Sequence, residues 1–209
     1  VEFGVPGRGE RNLLALSSDK VKTPEGLVLN QPSFWSRDSS GYDLVMISHR
    51  DFIEGVKSLK QLRELQGLSV ALIDLEDVYD EFSFGVKSPK AIKDFLSFAK
   101  TKWKKSLRFV LLVGDASFDP KNYYGFGYWD FVPTKLIDTQ YLETASDDWF
   151  VDFNGDGLPE MAIGRLPVRT LEEANTVVSK IISYERTAAQ SVALLVADKI
   201  EWEDDFDFE

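Results

Sequence analysis

The chain has 209 residues, 44% hydrophobic and 13% aromatic, which is enough for one domain of about 150–200 residues with a sizeable core. Thirty-five acidic against 24 basic residues give a net charge of −11, which argues against nucleic acid as a partner, since phosphate binding draws on clustered Lys and Arg. These residues include no cysteine, hence no disulfide, thiolate metal site or cysteine nucleophile, and no apolar run approaches the roughly 20 residues of a membrane span.

Residues 1–40 are irregular and read as an entry segment, the remnant of a preceding domain. Asn12–Leu16 is a short apolar entry strand, and Thr23-Pro24 and Gln31-Pro32 mark turns. Gly4–Gly9 superficially suggests a phosphate loop, but it has no preceding strand, following helix or lysine, so nucleotide binding is rejected. Val1 is not a methionine and no signal peptide is visible; both ends are expected to be cut.

Regular alternation begins at Tyr42–Ser48, a buried strand. Asp51 is expected to cap a helix with Phe52, Val56, Leu59, Leu62 and Leu65 inward and Gly67 just past its end. Ser69–Leu75 is a second strand. Ser88-Pro89 opens another helix, whose inner face is Ala91, Ile92, Phe95, Leu96 and Ala99. Leu107–Gly114 is almost wholly apolar, which marks a central parallel strand covered on both faces.

An aromatic, glycine-rich loop follows from Asp115 to about Asp130. Its segment Tyr123–Trp129 fits either a substrate- or partner-facing loop or one folded onto its own core. Phe131–Thr134 and Trp149–Val151 are expected as hairpin or edge strands, and Glu160–Gly164 as a core strand. Thr170 and Glu173 make a capping box for a helix with Leu171, Ala174, Val177, Val178, Ile181 and Tyr184 inward. Ser191–Ala197 is the last strand, and its side is expected to expose apolar surface. From Asp198 to Glu209 seven acids face one lysine; without them the charge falls to −5, and the stretch reads as a solvated end.

This order predicts an α/β fold of three layers, a mainly parallel sheet with helices on both faces. Sites in such sheets lie beyond the carboxyl ends of the strands. Ser48-His49-Arg50, Asp115-Ala116-Ser117, Arg165 and Asp198-Lys199 are therefore expected on one rim. His49 is the only histidine and reads as a surface or capping residue.

The densest motif is DFNGDGLPE, residues 152–160. Asp152, Asn154, Asp156 and Glu160 offer side-chain oxygens and Leu158 a backbone carbonyl around Gly155 and Gly157, a donor set that suits calcium. It is not an EF-hand, because Ile163 stands where the bidentate glutamate belongs. Asn-Gly and Asp-Gly are also favoured hairpin turns, so a plain polar turn stands as the alternative.

VLLVGDASFDP (110–120), VPT (132–134), ASDDWF (145–150), IGRLPVRT (163–170) and KIISYE (180–185) together resemble the gingipain-type cysteine peptidases, over roughly residues 42–198. The resemblance implies the first subdomain of a caspase-like catalytic domain at 41–190. Residues 191–209 then hold the opening strand of the second subdomain and the acidic tail. It implies peptide-bond hydrolysis by a Cys/His dyad lying downstream, with protein or peptide substrates. It places the protein outside the cell or on the bacterial surface. It assigns Asp198 as the acid that orients the catalytic histidine, and gives Asp115 and Asp119 to a metal site or the catalytic rim.

Two functions are therefore expected. The first is the N-terminal portion of a secreted cysteine endopeptidase, with structural calcium and a downstream subdomain as its partner. The second is a non-catalytic, calcium-stabilised binding or assembly module.

Overall fold

The computed structural model describes residues 16–21, 23, 29–30, 32–127, 129–140 and 142–187, which fall into two compact units, Val1–Pro32 and Ser33–Glu209. In the first unit the described structure is a single helical turn, Ser18–Lys20. The second unit contains, in order, β1 (Leu44–Ser48), α1 (Ile53–Leu65), β2 (Val70–Asp74), α2 (Leu75–Ser83), α3 (Pro89–Lys102), β3 (Phe109–Val113), β4 (Lys135–Asp138), β5 (Glu143–Ser146), β6 (Ala162–Leu166) and α4 (Leu171–Arg186).

Successive side chains of a strand point to opposite faces, and here both faces are apolar. Val45 and Ile47 of β1 join Ala71, Ile73, Val110 and Leu112 in a core closed by Val78 and Tyr79 of α2 and by Ile92, Phe95 and Leu96 of α3. Leu44 and Met46 point the other way and pack with Val56 and Leu59 of α1 and Ala174 and Val178 of α4. The four strands are parallel in the order β2-β1-β3-β6, and Leu44 is the register partner of both Val70 and Phe109. This is the three-layer α/β architecture expected from the alternation of strands and helices.

Local chemistry explains most boundaries. Ser88 Oγ accepts the Lys90 amide and Pro89 occupies the first helical position of α3, as its sequence requires. Thr170 and Glu173 close the capping box of α4: Thr170 Oγ1 accepts the Glu173 amide and Glu173 accepts the Arg169 amide. Gly41 adopts φ +79°, and a Cβ there would lie 2.5 Å from the Lys105 carbonyl oxygen. Only glycine lets the chain pass this close on its way into β1.

Several expectations change. α2 is an additional helix directly after β2: Asp74 caps it by accepting the Glu76 amide, and Leu75, Val78 and Tyr79 are buried at helical spacing. The cap before α1 is His49, whose Nδ1 accepts the Asp51 amide, while Asp51 itself lies in a 3-10 turn. Leu65, Leu171 and Tyr184, expected inward, are exposed, 86%, 43% and 82%. The antiparallel hairpin is β4–β5, later than Phe131–Thr134. Trp149–Val151 is no strand: Asp148–Phe150 is a 3-10 turn begun by Ser146 Oγ accepting the Trp149 amide, which buries Phe150 and Val151 completely. Asn12–Ala15 of the proposed entry strand and the strand Ser191–Ala197 lie outside the described residues.

Two ion pairs tie distant elements together. Asp43 takes Lys105 Nζ at 2.5 Å and the Ser69 amide and hydroxyl at 2.8 Å each. Lys105, then the Ser69 amide, lower its pKa from 3.8 to about 2. Across α1 and α4, the Arg63 guanidinium grips Glu185 at 2.6 and 2.7 Å and likewise lowers that carboxyl from 4.5 to about 2. A depressed carboxyl pKa contributes stability that is present above the unfolded value near 4 and is lost as pH falls through about 2. The urea midpoint should thus fall steeply between pH 4 and pH 2. Asp43→Asn should be less stable than the parent at pH 6, with the gap closing by pH 2. A gap unchanged with pH would remove Asp43 from the account.

Candidate functional site

β3 leaves the sheet at Gly114, and the chain there is bound to the segment after β6. The Gly114 amide donates to the Leu166 carbonyl (3.0 Å) and the Asp115 amide to that of Val168 (2.9 Å). The Asp115 carbonyl in turn accepts the amides of Phe131 (2.9 Å) and Val132 (3.1 Å), which closes the 116–130 loop.

Arg165 holds these pieces together from inside β6. Its five N–H groups are all used. Nε and Nη2 grip the two oxygens of Asp147 at 2.8 and 2.7 Å. Nη1 donates to the carbonyls of Gly114 (2.8 Å) and Val132 (2.5 Å), and Nη2 also to that of Pro133 (3.1 Å). The side chain is 11% exposed, so the fork works out of water, where charge-assisted bidentate bonds are strong. One residue thereby joins the ends of β3 and the loop to the 132–147 region.

Ser48-His49 and Asp115–Ser117 do share the carboxyl edge, since the His49 amide donates to the Val113 carbonyl at 3.1 Å. Ser48 is fully buried and its hydroxyl donates to the His49 carbonyl. The His49 ring sits edge-on to Phe131 (5.1 Å) and near Phe52 (5.6 Å). Burial lowers its pKa, against the opposing pull of Asp51, Asp74 and Glu76. It is a capping imidazole, neutral at physiological pH. Asp198 lies outside the described residues.

Two other acids of this edge are held by cations. Asp115 takes Arg169 Nε at 2.6 Å, and Asp130, 1% exposed, pairs with Lys87 at 2.9 Å and accepts the Ser117 amide. Asp119 is also buried and accepts the Tyr124 amide at 2.8 Å. The aromatic loop does not fold onto its core. Phe118, Tyr123, Tyr124 and Phe126 are 64–79% exposed.

The acidic loop stands at the opposite edge. It leads into β6 where β3 begins: the Ala162 amide donates to the Arg108 carbonyl, and Ala162 is the register partner of Phe109. Five parallel residues at about 3.3 Å each separate that edge from the one where Asp115 lies. The structure therefore does not bring Asp115 to the acidic loop, and its carboxylate is committed to Arg169.

Within the loop Asp152 accepts the amides of Gly155 (2.7 Å) and Gly157 (3.0 Å). Asn154 accepts that of Asp156 (2.9 Å), Asp156 that of Leu158 (2.9 Å), and Glu160 that of Phe153 (2.7 Å). The donor set is all hard oxygen and fits calcium in kind. Among the described residues no group of three or more His, Cys, Asp or Glu side chains converges as a metal cage. The carboxylates of the loop are turned to its own amides.

The pairing of Arg165 with Asp147 was missed from sequence. The available signal was a lone arginine inside the apolar strand AIGRL, which a buried position obliges to find an acid. Removing one partner of such a pair costs about 3–5 kcal/mol. Arg165→Ala should lose stability on that scale. Arg165→Lys keeps the charge but not the fork, and should specifically speed hydrogen exchange at the Phe131 and Val132 amides. Unaltered exchange there would show that the loop does not depend on Arg165.

Comparison with known proteins gives this geometry a family. Peptidase family C25 matches residues 37–208. Dimeric latent PorU from Porphyromonas gingivalis superposes with a TM-score of 0.53 at 27% identity, over 69% of this chain and 16% of that one. The Arg-specific cysteine proteinase gingipain R superposes with a TM-score of 0.51 at 21% identity, over 74% and 30%, a likeness of fold. An uncharacterized protein of Archaeoglobus fulgidus is 24% identical over 68% of this chain and 35% of its own length, so the chain spans about a third of that relative. No described helix is long and apolar enough to cross a membrane. The fold is gingipain-like, and the chain belongs to peptidase family C25.

Proposed function

We propose that these residues form the first half of the caspase-like catalytic domain of a gingipain-like cysteine endopeptidase that works outside the cell or on the bacterial surface. The supporting observation is the match to peptidase family C25 over residues 37–208. Substrates are proteins or peptides, and the partner is the downstream catalytic subdomain of the same protein. That subdomain supplies the thiolate that attacks the peptide carbonyl and the histidine that serves as general acid and base, since neither residue type fits those roles here.

Asp198 is this chain's contribution to the chemistry. Its carboxylate accepts the imidazole N–H, which fixes the tautomer and steadies the imidazolium formed during attack. The remaining residues act as scaffold. Arg165 and Asp147 keep the carboxyl edge in shape, and the neutral His49 holds a turn.

Structural calcium belongs to the same reading. Asp152, Asn154, Asp156 and Glu160, with the Leu158 carbonyl, are the residues that hold it. The ion supplies positive charge that offsets the mutual repulsion of the acids ahead of β6. The support is the hard-oxygen donor set around Gly155 and Gly157, both at positive φ.

Calcium at 100 times its dissociation constant stabilises the native state by about 2.7 kcal/mol, which for a domain of this size raises Tm by roughly 5–10 °C. Chelator-treated protein should show that rise on adding calcium, and Asp156→Asn should reduce it. No rise at millimolar calcium sinks the metal site without touching the peptidase.

The peptidase reading is tested in the whole gene product. A thiol-directed peptidyl inhibitor should label a single cysteine beyond these residues and abolish peptide hydrolysis. Asp198→Asn should lower kcat by roughly 100-fold or more, as expected when a general base loses its orienting acid. A gene product with no peptide hydrolysis and no labelled cysteine would favour the binding or assembly module.

A further inference from the structure

Strands β4 and β5 form a two-stranded ribbon that is held at its base and free along its sides. An isolated ribbon of two strands is marginally stable at best, but both legs of this one are clamped where they leave the body. The Arg165 fork bonds the Val132 and Pro133 carbonyls just before β4 and the Asp147 carboxylate just after β5. Thr134 Oγ1 donates to the same carboxylate at 3.3 Å. Arg165 also bonds the Gly114 carbonyl at the end of β3, so the ribbon starts from the carboxyl edge, where sites of this architecture lie.

The register shows which backbone groups are free. Asp138 is the partner of Glu143, and next to them the Thr139 amide donates to the Leu142 carbonyl at 3.0 Å. Bonded and unbonded pairs alternate along an antiparallel ladder. Leu136, Asp138, Glu143 and Ala145 therefore turn their amides and carbonyls away from the partner strand. Among the described residues no further strand takes them up. A row of such groups is a template for another strand.

The side chains sort by face. Lys135, Ile137, Thr144 and Ser146 share the face turned to the body: Lys135 Nζ lies 5.9 Å from the Trp149 ring and Ser146 Oγ accepts the Trp149 amide. The other face holds Leu136, Asp138, Glu143 and Ala145, so its only charges are two carboxylates. Both acids are exposed, and among the described residues neither has a cation partner. They stand directly opposite in an unbonded pair, the kind whose side chains come closest, and like charges so placed destabilise a ribbon. A cation lying between them relieves that repulsion.

We propose that a free edge of the β4–β5 ribbon takes an extended basic segment of a polypeptide substrate as an added strand, with its lysines or arginines over Asp138 and Glu143. The choice of a substrate as the source rests on the peptidase reading. The free edge and the charge of its outer face are independent of that reading.

The test is a fluorescence-anisotropy titration of the 209-residue chain against a fluorescein-labelled peptide amide, Lys-Val-Lys-Val-Lys. Its comparisons are Glu-Val-Glu-Val-Glu and the basic peptide methylated at every backbone amide. The basic peptide should bind saturably. Methylation removes its main-chain donors, keeps its charge and should abolish binding. Asp138→Asn/Glu143→Gln should weaken the basic peptide about fivefold, the scale of two exposed charge contacts. Glu54→Gln/Glu172→Gln removes the same charge from exposed acids of α1 and α4 and should change nothing. Hydrogen exchange in the complex should slow at Leu136 and Asp138 or at Glu143 and Ala145. No saturable binding, equal binding of the methylated or the acidic peptide, equal effects of the two double variants, or unaltered exchange at all four amides overturns the added strand. Binding here together with a whole gene product that hydrolyses no peptide would sink the peptidase reading alone.

Discussion

Five N–H groups of one guanidinium set the geometry on which the carboxyl edge depends. Arg165 is the register partner of Leu112, one residue from the carboxyl end of the parallel pair β3–β6, and its side-chain bonds go to Gly114, Val132, Pro133 and Asp147. Parallel strands must be joined by crossovers, so the segments that follow them are long and need an anchor apart from the sheet ladder. Here one planar fork supplies it, and lysine, with three donors and no plane, does not. Burying a charge is costly unless it is paired and every donor is used, and this one meets both conditions. The same fork fixes both ends of the loop that carries the exposed aromatics.

The sheet separates two kinds of acidic chemistry. At the carboxyl edge Asp115, Asp130 and Asp147 each face a cation at 2.6–2.9 Å. These acids are committed, and they shape the edge without offering it a free carboxylate. At the opposite edge the acids of 152–160 form a self-contained loop ahead of β6. The acidic loop is tied to the Arg165 fork from both ends, through β6 and through the Asp152 amide, which donates to the Asp148 carbonyl beside Asp147.

The layer order was legible because it rests on periodicity, which needs no partner. LVMIS and FVLLV could be buried on both faces only in a covered parallel sheet, and Ser88-Pro89 and Thr170–Glu173 encode their own caps. What was hidden depends on tertiary partners. Helix α2 follows β2 without a loop, so Leu75 reads equally as the end of a strand or the start of a helix; Asp74 as its cap was the overlooked signal. Trp149–Val151 has the apolarity of a strand, but the Phe150, Val151 and Asp152 amides bond back to the Asp147 and Asp148 carbonyls and Ser146 accepts the Trp149 amide, which makes it a helical turn. The aromatic loop was undecidable for the same reason. Whether its rings face in or out turns on Asp119 and Asn122 bonding within the loop, which composition does not reveal.

The same contrast bears on the acidic loop. Asp43, Asp115, Asp130 and Asp147 draw on Lys105, Arg169, Lys87 and Arg165, whereas Asp152, Asp156 and Glu160 have neutral backbone amides as their hydrogen-bond partners. Amides stabilise a carboxylate by hydrogen bonding but leave its net charge in place, so three like charges remain within nine residues of chain. Asp152 is 9% exposed, which limits the water available to screen it. Asp43, Asp115, Asp130 and Asp147 are neutralised by cations and the acids of 152–160 are not, which is the electrostatic argument for the cation proposed there.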